Sequence, residues 1–308
     1  MAASLLRLGT RGSKLALTQT GLVRDALAAS VSALSAPDAI EIVPIRTTGD
    51  AIQDRPLGEA GGKGLFVKEI EEALLAGRVD AAVHSMKDMP TAQPAGLVIA
   101  AFLPREDARD VLIAGDATRI ADLGHGAIVG TSALRRRAQL LHQRPDLQIV
   151  TLRGNVDTRL AKRDAGVVQA TLLALAGLKR LGMAHVGVPI PEDEVLPAVG
   201  QGAVCIECRQ DDARTNGWLA AINHASTMTR VAAEHAMLAM LDGSCRTPIA
   251  GHAVLEGDSL HLRGLIAKPD GSRLVAAERR GTSDQARALG RDLAEELLHR
   301  GGPGFLST

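Results

Sequence analysis

The chain has 308 residues, a length that predicts two or three compact domains rather than one. Basic and acidic side chains balance at 35 each, so no overall field would attract nucleic acid or an anionic membrane surface. Aromatic residues make up 1% of the sequence, which argues against domains that bind nucleic acid by stacking bases on aromatic rings.

The first part of the chain predicts short strands that alternate with amphipathic helices, the pattern of an open, mostly parallel α/β sheet. Gly9-Thr10 and Gly130-Thr131 each stand between a predicted strand and a predicted helix, which indicates an internal repeat and two similar halves facing a cleft. The predicted strands cover residues 5–8, 40–45, 81–83, 127–130, 149–152 and 167–173.

The pattern changes near residue 225. A helix over 229–241, strands over 259–267 and 273–278, and a last helix over 283–299 predict a separate small α+β domain. The segment 189–197, which is rich in proline and acidic residues, predicts a linker.

The cysteines and the N-terminus predict a cytosolic protein. Cys205, Cys208 and Cys245 give an odd count without an export signal, which predicts reduced thiols. Cys205 and Cys208 would point to opposite faces of a strand, and no second Cys or His pair completes a site, so we expect no bound metal. No apolar run approaches the ~18 residues that a membrane span needs, and the apolar stretch at the start is too short for a signal peptide.

A basic cluster between residues 135 and 163 is the strongest local signal for a ligand. Arg135, Arg136 and Arg153 follow predicted strand ends, where open α/β sheets bind their ligands. Free backbone amides at helix N-termini near Ser13 and Thr131 would add to that edge, so the predicted ligand carries several negative groups. The cluster also contains Arg159, and four further basic residues fit either the ligand or a solvated helix face: Arg137, Arg144, Lys162 and Arg163. A nucleotide is not expected, because the glycine loop 61–64 fails the phosphate-loop pattern.

Two short motifs could carry chemistry. Lys87 and Asp88 follow a buried strand, where an aspartate could stabilise a cation and a lysine could hold an acidic group, although a solvated turn is an equal alternative. Cys245 lies on a loop beside Arg246, which would favour the nucleophilic thiolate, although a loop cysteine can also be incidental.

Ordered segments from about residue 5 to about residue 300 carry a resemblance to one family. They are Thr10-Arg11-Gly12-Ser13, Gly62-Lys63-Gly64-Leu65-Phe66, Val83-His84-Ser85-Met86-Lys87-Asp88, Gly130-Thr131-Ser132, Leu134-Arg135-Arg136, Leu152-Arg153-Gly154-Asn155, Ala176-Gly177-Leu178-Lys179-Arg180, Pro197-Ala198-Val199-Gly200-Gln201-Gly202 and the Cys245 loop. Together these segments resemble the porphobilinogen deaminase family.

The resemblance implies an α/β fold of three domains. Two would resemble the lobes of a type II periplasmic binding protein, at residues 1–103 with 203–221 and at residues 109–196, the second inserted in the first. Residues 225–308 would form a small α+β domain that carries the cofactor cysteine. The chain would cross between the first two domains near residues 104–109 and 196–202.

The resemblance also implies a tethered cofactor and a reaction. Cys245 would hold a dipyrromethane through a thioether, and four porphobilinogen units would add stepwise, each losing ammonia, before water releases 1-hydroxymethylbilane. Every pyrrole brings an acetate and a propionate, which suits an arginine-rich site. Asp88 would be the catalytic residue, stabilising the azafulvene cation that remains when ammonia leaves and accepting hydrogen bonds from pyrrole N–H groups.

The other site residues are implied by the matching motifs. The cofactor contacts would be Ser85, Lys87, Thr131, Ser132, Arg135 and Arg136. The substrate contacts would be Arg11, Ser13, Arg153, Arg159, Arg180 and Gln201. Glu59, where some members of the family have lysine, and Ala133, which replaces a serine, depart from the pattern.

Porphobilinogen would be the small-molecule partner of a cytoplasmic monomer, with no nucleic acid, membrane or metal. The alternative function is a cytosolic two-lobed module that binds a polycarboxylate without catalysis, with Cys245 a bystander. That alternative explains the arginines and the lobes but leaves the thiol loop and the Lys87–Asp88 pair without a role.

Overall fold

The computed structural model describes residues 4–51, 64–243 and 247–306. The strands in these ranges are β1 (Leu6–Arg11), β2 (Ile40–Ile45), β3 (Ala81–Ser85), β4 (Leu97–Phe102), β5 (Asp110–Ile113), β6 (Ile128–Gly130), β7 (Gln148–Val150), β8 (Ala170–Ala174), β9 (Val188–Pro189), β10 (Val204–Arg209), β11 (Ile249–Glu256), β12 (Ser259–Ala267) and β13 (Leu274–Thr282). The α-helices are α1 (Lys14–Ser30), α2 (Thr48–Ala51), α3 (Lys68–Leu75), α4 (Leu134–Gln143), α5 (Val156–Asp164), α6 (Leu175–Arg180), α7 (Ala213–Ala220), α8 (Ala225–Met240) and α9 (Ala286–Gly301).

The chain divides into two compact units, each built from two segments. The first unit is Met1–Glu106 with Ala203–Met228, and the second is Asp107–Gly202 with Thr229–Thr308. The predicted three domains are a finer division, because two of them fall within the second unit, and their bounds stay a prediction.

The first unit contains a five-stranded sheet in the order β2-β1-β3-β10-β4. β1 pairs in parallel with β2 and β3, whereas β10 is antiparallel to β3 and β4, so β10 alone runs in the opposite direction. The strands are apolar because helices cover the sheet, and Leu8, Leu27 and Val204 belong to one buried cluster. The predicted mostly parallel sheet is therefore confirmed for this unit.

The second unit repeats this arrangement in the order β7-β6-β8-β5-β9. β6 pairs in parallel with β7 and β8, and β5 is antiparallel to β8 and β9, so β5 takes the place that β10 has in the first sheet. Gly9-Thr10 lies in β1, and Gly130-Thr131 lies at the end of β6, the strand in the matching place. The predicted internal repeat is confirmed at the level of strand order.

A three-stranded antiparallel sheet, in the order β11-β12-β13, follows near the C-terminus. Its core includes Leu262 and Ile266 from β12, Met237 from α8 and Leu293 from α9. β11 was not predicted, because Gly251 and His252 interrupt its apolar alternation. This small α+β part and the two α/β sheets confirm the predicted fold class.

The predicted linker over residues 189–197 is wrong. Ile190 and Val195 are buried in the core of the second unit. Leu196 donates its N–H to Gln139 Oε1 at 2.7 Å, and its carbonyl accepts from Gln139 Nε2 at 3.1 Å. The segment resembles a linker because it is rich in proline and acidic residues, but its apolar residues pack in the core.

Among the described residues, no helix combines the length and the apolar character that crossing a membrane requires.

Candidate active site

Polar side chains gather where β1, β2 and β3 end in the first unit. Arg11 ends β1, Asp50 lies in the short helix after β2, and Asp88 ends the single turn after β3. The three strands are parallel neighbours, so their carboxyl ends lie at one edge of the sheet. The fold therefore brings Arg11 and Asp88, two of the predicted site residues, together at one edge of this sheet.

Arg11 is held on three sides. Its Nε donates to Asp50 Oδ2 at 3.1 Å, its Nη1 lies 3.9 Å from Asp88 Oδ2, and its guanidinium carbon lies 4.2 Å from the centre of the Phe66 ring. Burial acts to lower the pKa of Arg11, but the hydrogen bond to Asp50 and the charges of Asp88 and Asp50 outweigh it and raise that pKa. Arg11 is thus a fixed cation beside a partly exposed carboxylate.

The neighbouring hydroxyls of this edge already make hydrogen bonds. Ser13 caps α1 by accepting from the N–H of Ala16 at 3.3 Å. Ser85 donates to Gln19 Oε1 at 3.1 Å. Lys87 precedes Asp88 in the turn and is half-buried. Each hydroxyl retains hydrogen-bonding capacity for a ligand, because a hydroxyl has one donor and two acceptor positions.

A second set of predicted residues lies where β6 and β7 end in the second unit. Thr131 follows β6, and its hydroxyl accepts from the N–H of Ala133 at 3.2 Å. Ser132 is exposed and donates to the carbonyl of Leu152 at 2.7 Å. Ala133 is the N-cap of α4 and supplies no side-chain oxygen to the amides of the first turn. The N-cap side chain therefore satisfies none of these amides.

Arg153 lies in a tight connection before α5, and Arg159 lies in the first turn of that helix. Gly154 between them has a φ of 118°, which favours glycine, and an added Cβ would lie 2.6 Å from the Thr158 side chain. Asn155 caps α5 by accepting from the N–H of Thr158 at 2.9 Å. Arg159 Nε donates to the Gly154 carbonyl at 2.8 Å, which places its guanidinium beside the helix N-terminus.

Arg135 and Arg136 lie deeper than the sequence indicated. Each residue is 5% exposed, and the two share the fully buried carboxylate of Asp110. Arg135 Nη2 donates to Asp110 Oδ2 and Arg136 Nη2 donates to Asp110 Oδ1, both at 2.8 Å. Gln201 is 1% exposed and donates from Nε2 to Asp110 Oδ1 at 2.8 Å. The fold therefore brings Gln201 to the predicted cofactor arginines.

The charges of this cluster do not cancel. Two guanidinium groups face one carboxylate, and burial acts to raise the pKa of Asp110, but the charges of Arg135 and Arg136 outweigh it and hold that pKa well below its usual range. Arg136 Nε is buried without a hydrogen-bond partner among the described residues. A net positive charge with an unpaired donor suits a carboxylate ligand.

Three predicted residues remain: Arg180, Cys245 and Glu59. Arg180 ends α6 and donates from Nη2 to the Gly202 carbonyl at 2.8 Å. Cys245 and Glu59 lie outside the described residues. The predicted attachment of the cofactor to Cys245 and the effect of Glu59 in place of lysine therefore stay predictions. The residue assignments within both sets stay predictions.

Sequence reasoning missed two acidic residues that hold predicted arginines. Asp50 follows β2 at the same sheet edge as Arg11, so the rule about strand ends could have found it. Asp110 begins an apolar strand, and a charge in such a strand needs a partner, which was a usable signal. Its partner arginines are distant in sequence, so pairing them required the fold.

Two family models match the chain. Residues 6–217 match a model described as the dipyrromethane cofactor-binding domain of porphobilinogen deaminase, and residues 228–299 match the C-terminal domain of the same family. Among solved structures, the chain is similar to the periplasmic aliphatic sulphonate-binding protein of Escherichia coli, with 18% identity and a TM-score of 0.43 over 77% of this chain and 70% of that one.

Curated relatives agree over nearly the whole chain. The porphobilinogen deaminase of Paracoccus denitrificans is 58% identical over 97% of this chain and 96% of the relative. That of Nitrobacter hamburgensis is 55% identical over 98% and 96%, and the chloroplastic enzyme of Pisum sativum is 51% identical over 99% and 84%. With this coverage and the two matching models, the chain belongs to the porphobilinogen deaminase family.

Proposed function

We propose that this chain joins four porphobilinogen molecules head to tail, with loss of ammonia at each step, on a dipyrromethane primer tethered to Cys245, and releases 1-hydroxymethylbilane by hydrolysis. Family membership makes it a transferase-type enzyme of tetrapyrrole biosynthesis with a domain that binds a dipyrromethane cofactor. The observation that carries the finer proposal is the Asp88 carboxylate, which lies at the end of the turn after β3, with Arg11 Nη1 3.9 Å from its Oδ2.

The residues of the chain fit a cofactor that bears acetate and propionate groups. The buried pair of Arg135 and Arg136 has a net positive charge and an unpaired Nε, which suits a carboxylate. Lys87, Ser85, Thr131 and Ser132 would supply further donors. When bound, the dipyrromethane supplies a nucleophilic pyrrole carbon at which chain growth begins.

Asp88 stabilises positive charge on the substrate. Porphobilinogen becomes cationic as ammonia leaves, and a fixed carboxylate beside the reacting carbon lowers the energy of that cation. The same carboxylate can accept a hydrogen bond from a pyrrole N–H. Asp88 is 31% exposed at its side chain, so a substrate can reach it without unfolding the turn.

The substrate carboxylates are held by the remaining basic and polar residues. Arg153 and Arg159 lie at the N-terminus of α5, where backbone amides reinforce their positive charge. Arg11 serves the same purpose in the first unit. Ser13, Arg180 and Gln201 complete the proposed substrate set, with Gln201 acting through the Asp110 cluster rather than from the surface.

Intact mass tests the tethered cofactor. We expect purified protein incubated with porphobilinogen to exceed its sequence mass by two linked pyrrole units, and Cys245→Ser to show no excess. Cys208→Ser is the matched control, because Cys208 is a buried thiol on β10 and should leave the excess unchanged. Sequence masses for all three proteins would contradict the proposal and favour the polycarboxylate-binding alternative.

We propose three domains at residues 1–103 with 203–221, 109–196 and 225–308, in a monomer that acts in the cytoplasm. The two-segment composition of the first unit supports an inserted domain. Light scattering on the purified chain checks the monomer, limited proteolysis checks the domain bounds, and cell fractionation checks the location.

A further inference from the structure

Asp110 collects three hydrogen bonds from residues that the proposed function assigns to cofactor and substrate. Its side chain is completely buried at the start of β5. Oδ2 accepts from Arg135, and Oδ1 accepts from both Arg136 and Gln201, all at 2.8 Å. No part of Asp110 is exposed to a ligand, so any effect it has on binding acts through these three side chains.

The need for this carboxylate follows from where the arginines lie. Arg135 and Arg136 occupy the first turn of α4, which contains no acidic residue. The free amides of a helix N-terminus repel cations, and two adjacent guanidinium groups repel each other. Burial, the largest cause, and the charge of Arg136 lower the pKa of Arg135. The charge of Asp110 and its hydrogen bond to Arg135 oppose this lowering of the pKa without outweighing it.

The remaining contacts fix how each guanidinium is turned. Arg135 Nη1 donates to the Leu196 carbonyl at 2.7 Å, and Arg136 Nη1 donates to the Leu172 carbonyl at 2.8 Å. Gln201 Nε2 also donates to the Ala108 carbonyl at 2.6 Å. Both terminal nitrogens of Arg136 are engaged, and its buried Nε has no partner among the described residues, so a carboxylate that enters this cluster would accept from Nε.

We propose that Asp110 is a positioning residue for cofactor assembly, which holds Arg135 and Arg136 in the orientation that leaves Arg136 Nε and one positive charge for an incoming carboxylate. The inference rests on the proposed function for the role of the two arginines. It adds a residue that contacts neither cofactor nor substrate, and it assigns Gln201 to the support of Asp110.

Arginine side-chain NMR tests the positioning directly, whether or not the cofactor forms. In the full-length protein labelled with ¹⁵N-arginine, fixed guanidinium groups give separate signals for their terminal N–H protons, and Arg135→Lys and Arg136→Lys identify the two residues. We expect Asp110→Asn to merge or broaden these signals. Asp146→Asn is the matched control, because Asp146 pairs with Arg144 in the same unit and does not bond Arg135 or Arg136.

Cofactor loading supplies the second measurement. Cofactor-free protein is mixed with porphobilinogen, and the gain in intact mass is followed with time. We expect loading of Asp110→Asn to be at least about tenfold slower than that of the wild type, the effect of losing one charge partner, and loading of Asp146→Asn to be unchanged.

Asp110→Glu keeps the charge and moves the carboxylate, so it separates geometry from charge if Asp110→Asn does not fold. We expect altered guanidinium signals and slowed loading in this variant as well. Wild-type signals or wild-type loading in a folded Asp110 variant would overturn the proposal. If the wild type itself gains no mass, the proposed function fails, and the NMR comparison still decides whether Asp110 orients the arginines.

Discussion

A buried cluster of titratable side chains lies in the first unit beside the strand that leads to Asp88. His84 on β3 has its Nε2 3.4 Å from Glu207 Oε2 on β10, and Glu71 on α3 is 8% exposed. Both carboxylate oxygens of Glu207, and Oε1 of Glu71, have no hydrogen-bond partner among the described residues. Burial and the charge of Glu207 raise the pKa of Glu71 to about 7.

This cluster predicts a pH-dependent stability. A folded-state pKa above the ordinary value of 4.5 means that the folded protein binds the Glu71 proton more tightly, so stability falls as pH rises from about 4.5 to about 7. We expect Glu71→Gln to be more stable than the wild type at pH 8, by on the order of 1–3 kcal/mol, and similar at pH 4.5. Urea unfolding at the two pH values measures this difference.

Glu72→Gln is the control for that measurement. Glu72 is the next residue of α3, and its side chain is 57% exposed, so its substitution should leave the pH dependence unchanged. A Glu71→Gln protein whose advantage is the same at both pH values would show that Glu71 does not titrate in this range.

The position of the Asp88 carboxylate is predicted to be essential for turnover. Asp88→Glu keeps the charge but moves the carboxylate away from the end of the turn after β3. We expect turnover to fall by at least about a hundredfold, while intact mass shows the cofactor retained. Asp25→Glu, on the exposed face of α1, should have normal turnover. Normal turnover of Asp88→Glu would contradict the proposed role.

At the scale of elements, the contact between α8 and α9 depends on one glycine. A Cβ added to Gly290 of α9 would lie 2.2 Å from the carbonyl oxygen of Ala233 and 2.8 Å from Ala236 Cβ, both on α8. The backbone of α8 cannot give way as a flexible side chain would. The missing side chain of Gly290 therefore sets how closely the two helices pack in the core around Met237 and Leu293.

Gly290→Ala should separate these helices. We expect a loss of about 1–3 kcal/mol in the free energy of unfolding, because the intrinsic helix preference for alanine is smaller than the cost of overpacking. Gly217→Ala is the matched control in α7, where an added Cβ meets nothing within 4 Å, so it should be neutral or stabilising. Thermal unfolding of both variants tests this, and equal melting temperatures would refute the close-contact argument.

Helices and strands with a clear local sequence pattern could be predicted. α1 begins after its Ser13 cap and α4 begins at Leu134, close to the helix starts predicted near Ser13 and Thr131, because helix starts depend on neighbouring residues. β12 matches its predicted range of 259–267 because its apolar alternation is regular. Sequence pattern predicts neither β11 nor the buried packing of residues 189–197, because tertiary contacts decide both.

At the scale of the whole molecule, two sheets share one strand order, and each has one reversed strand. The reversed strand of the first sheet, β10, comes from the second segment of its unit, which explains why Ala203–Met228 belongs with Met1–Glu106. Three neighbouring parallel strands end at one edge of each sheet, and this arrangement gathers Arg11 and Asp88 in one unit and Thr131 and Arg153 in the other.

The sequence by itself determined the fold class, most of the strands and helices, the ordered motifs of the family and the positions of the polar residues at strand ends. These features depend on local periodicity, capping and motif order, which a linear chain displays directly. Only the tertiary structure decided that β5 and β10 run opposite to their neighbours, that Arg11 is held by Asp50, and that Asp110 joins Arg135, Arg136 and Gln201. Those pairings join residues far apart in sequence, and the cost of burying an unpaired charge selects them only once the chain has folded.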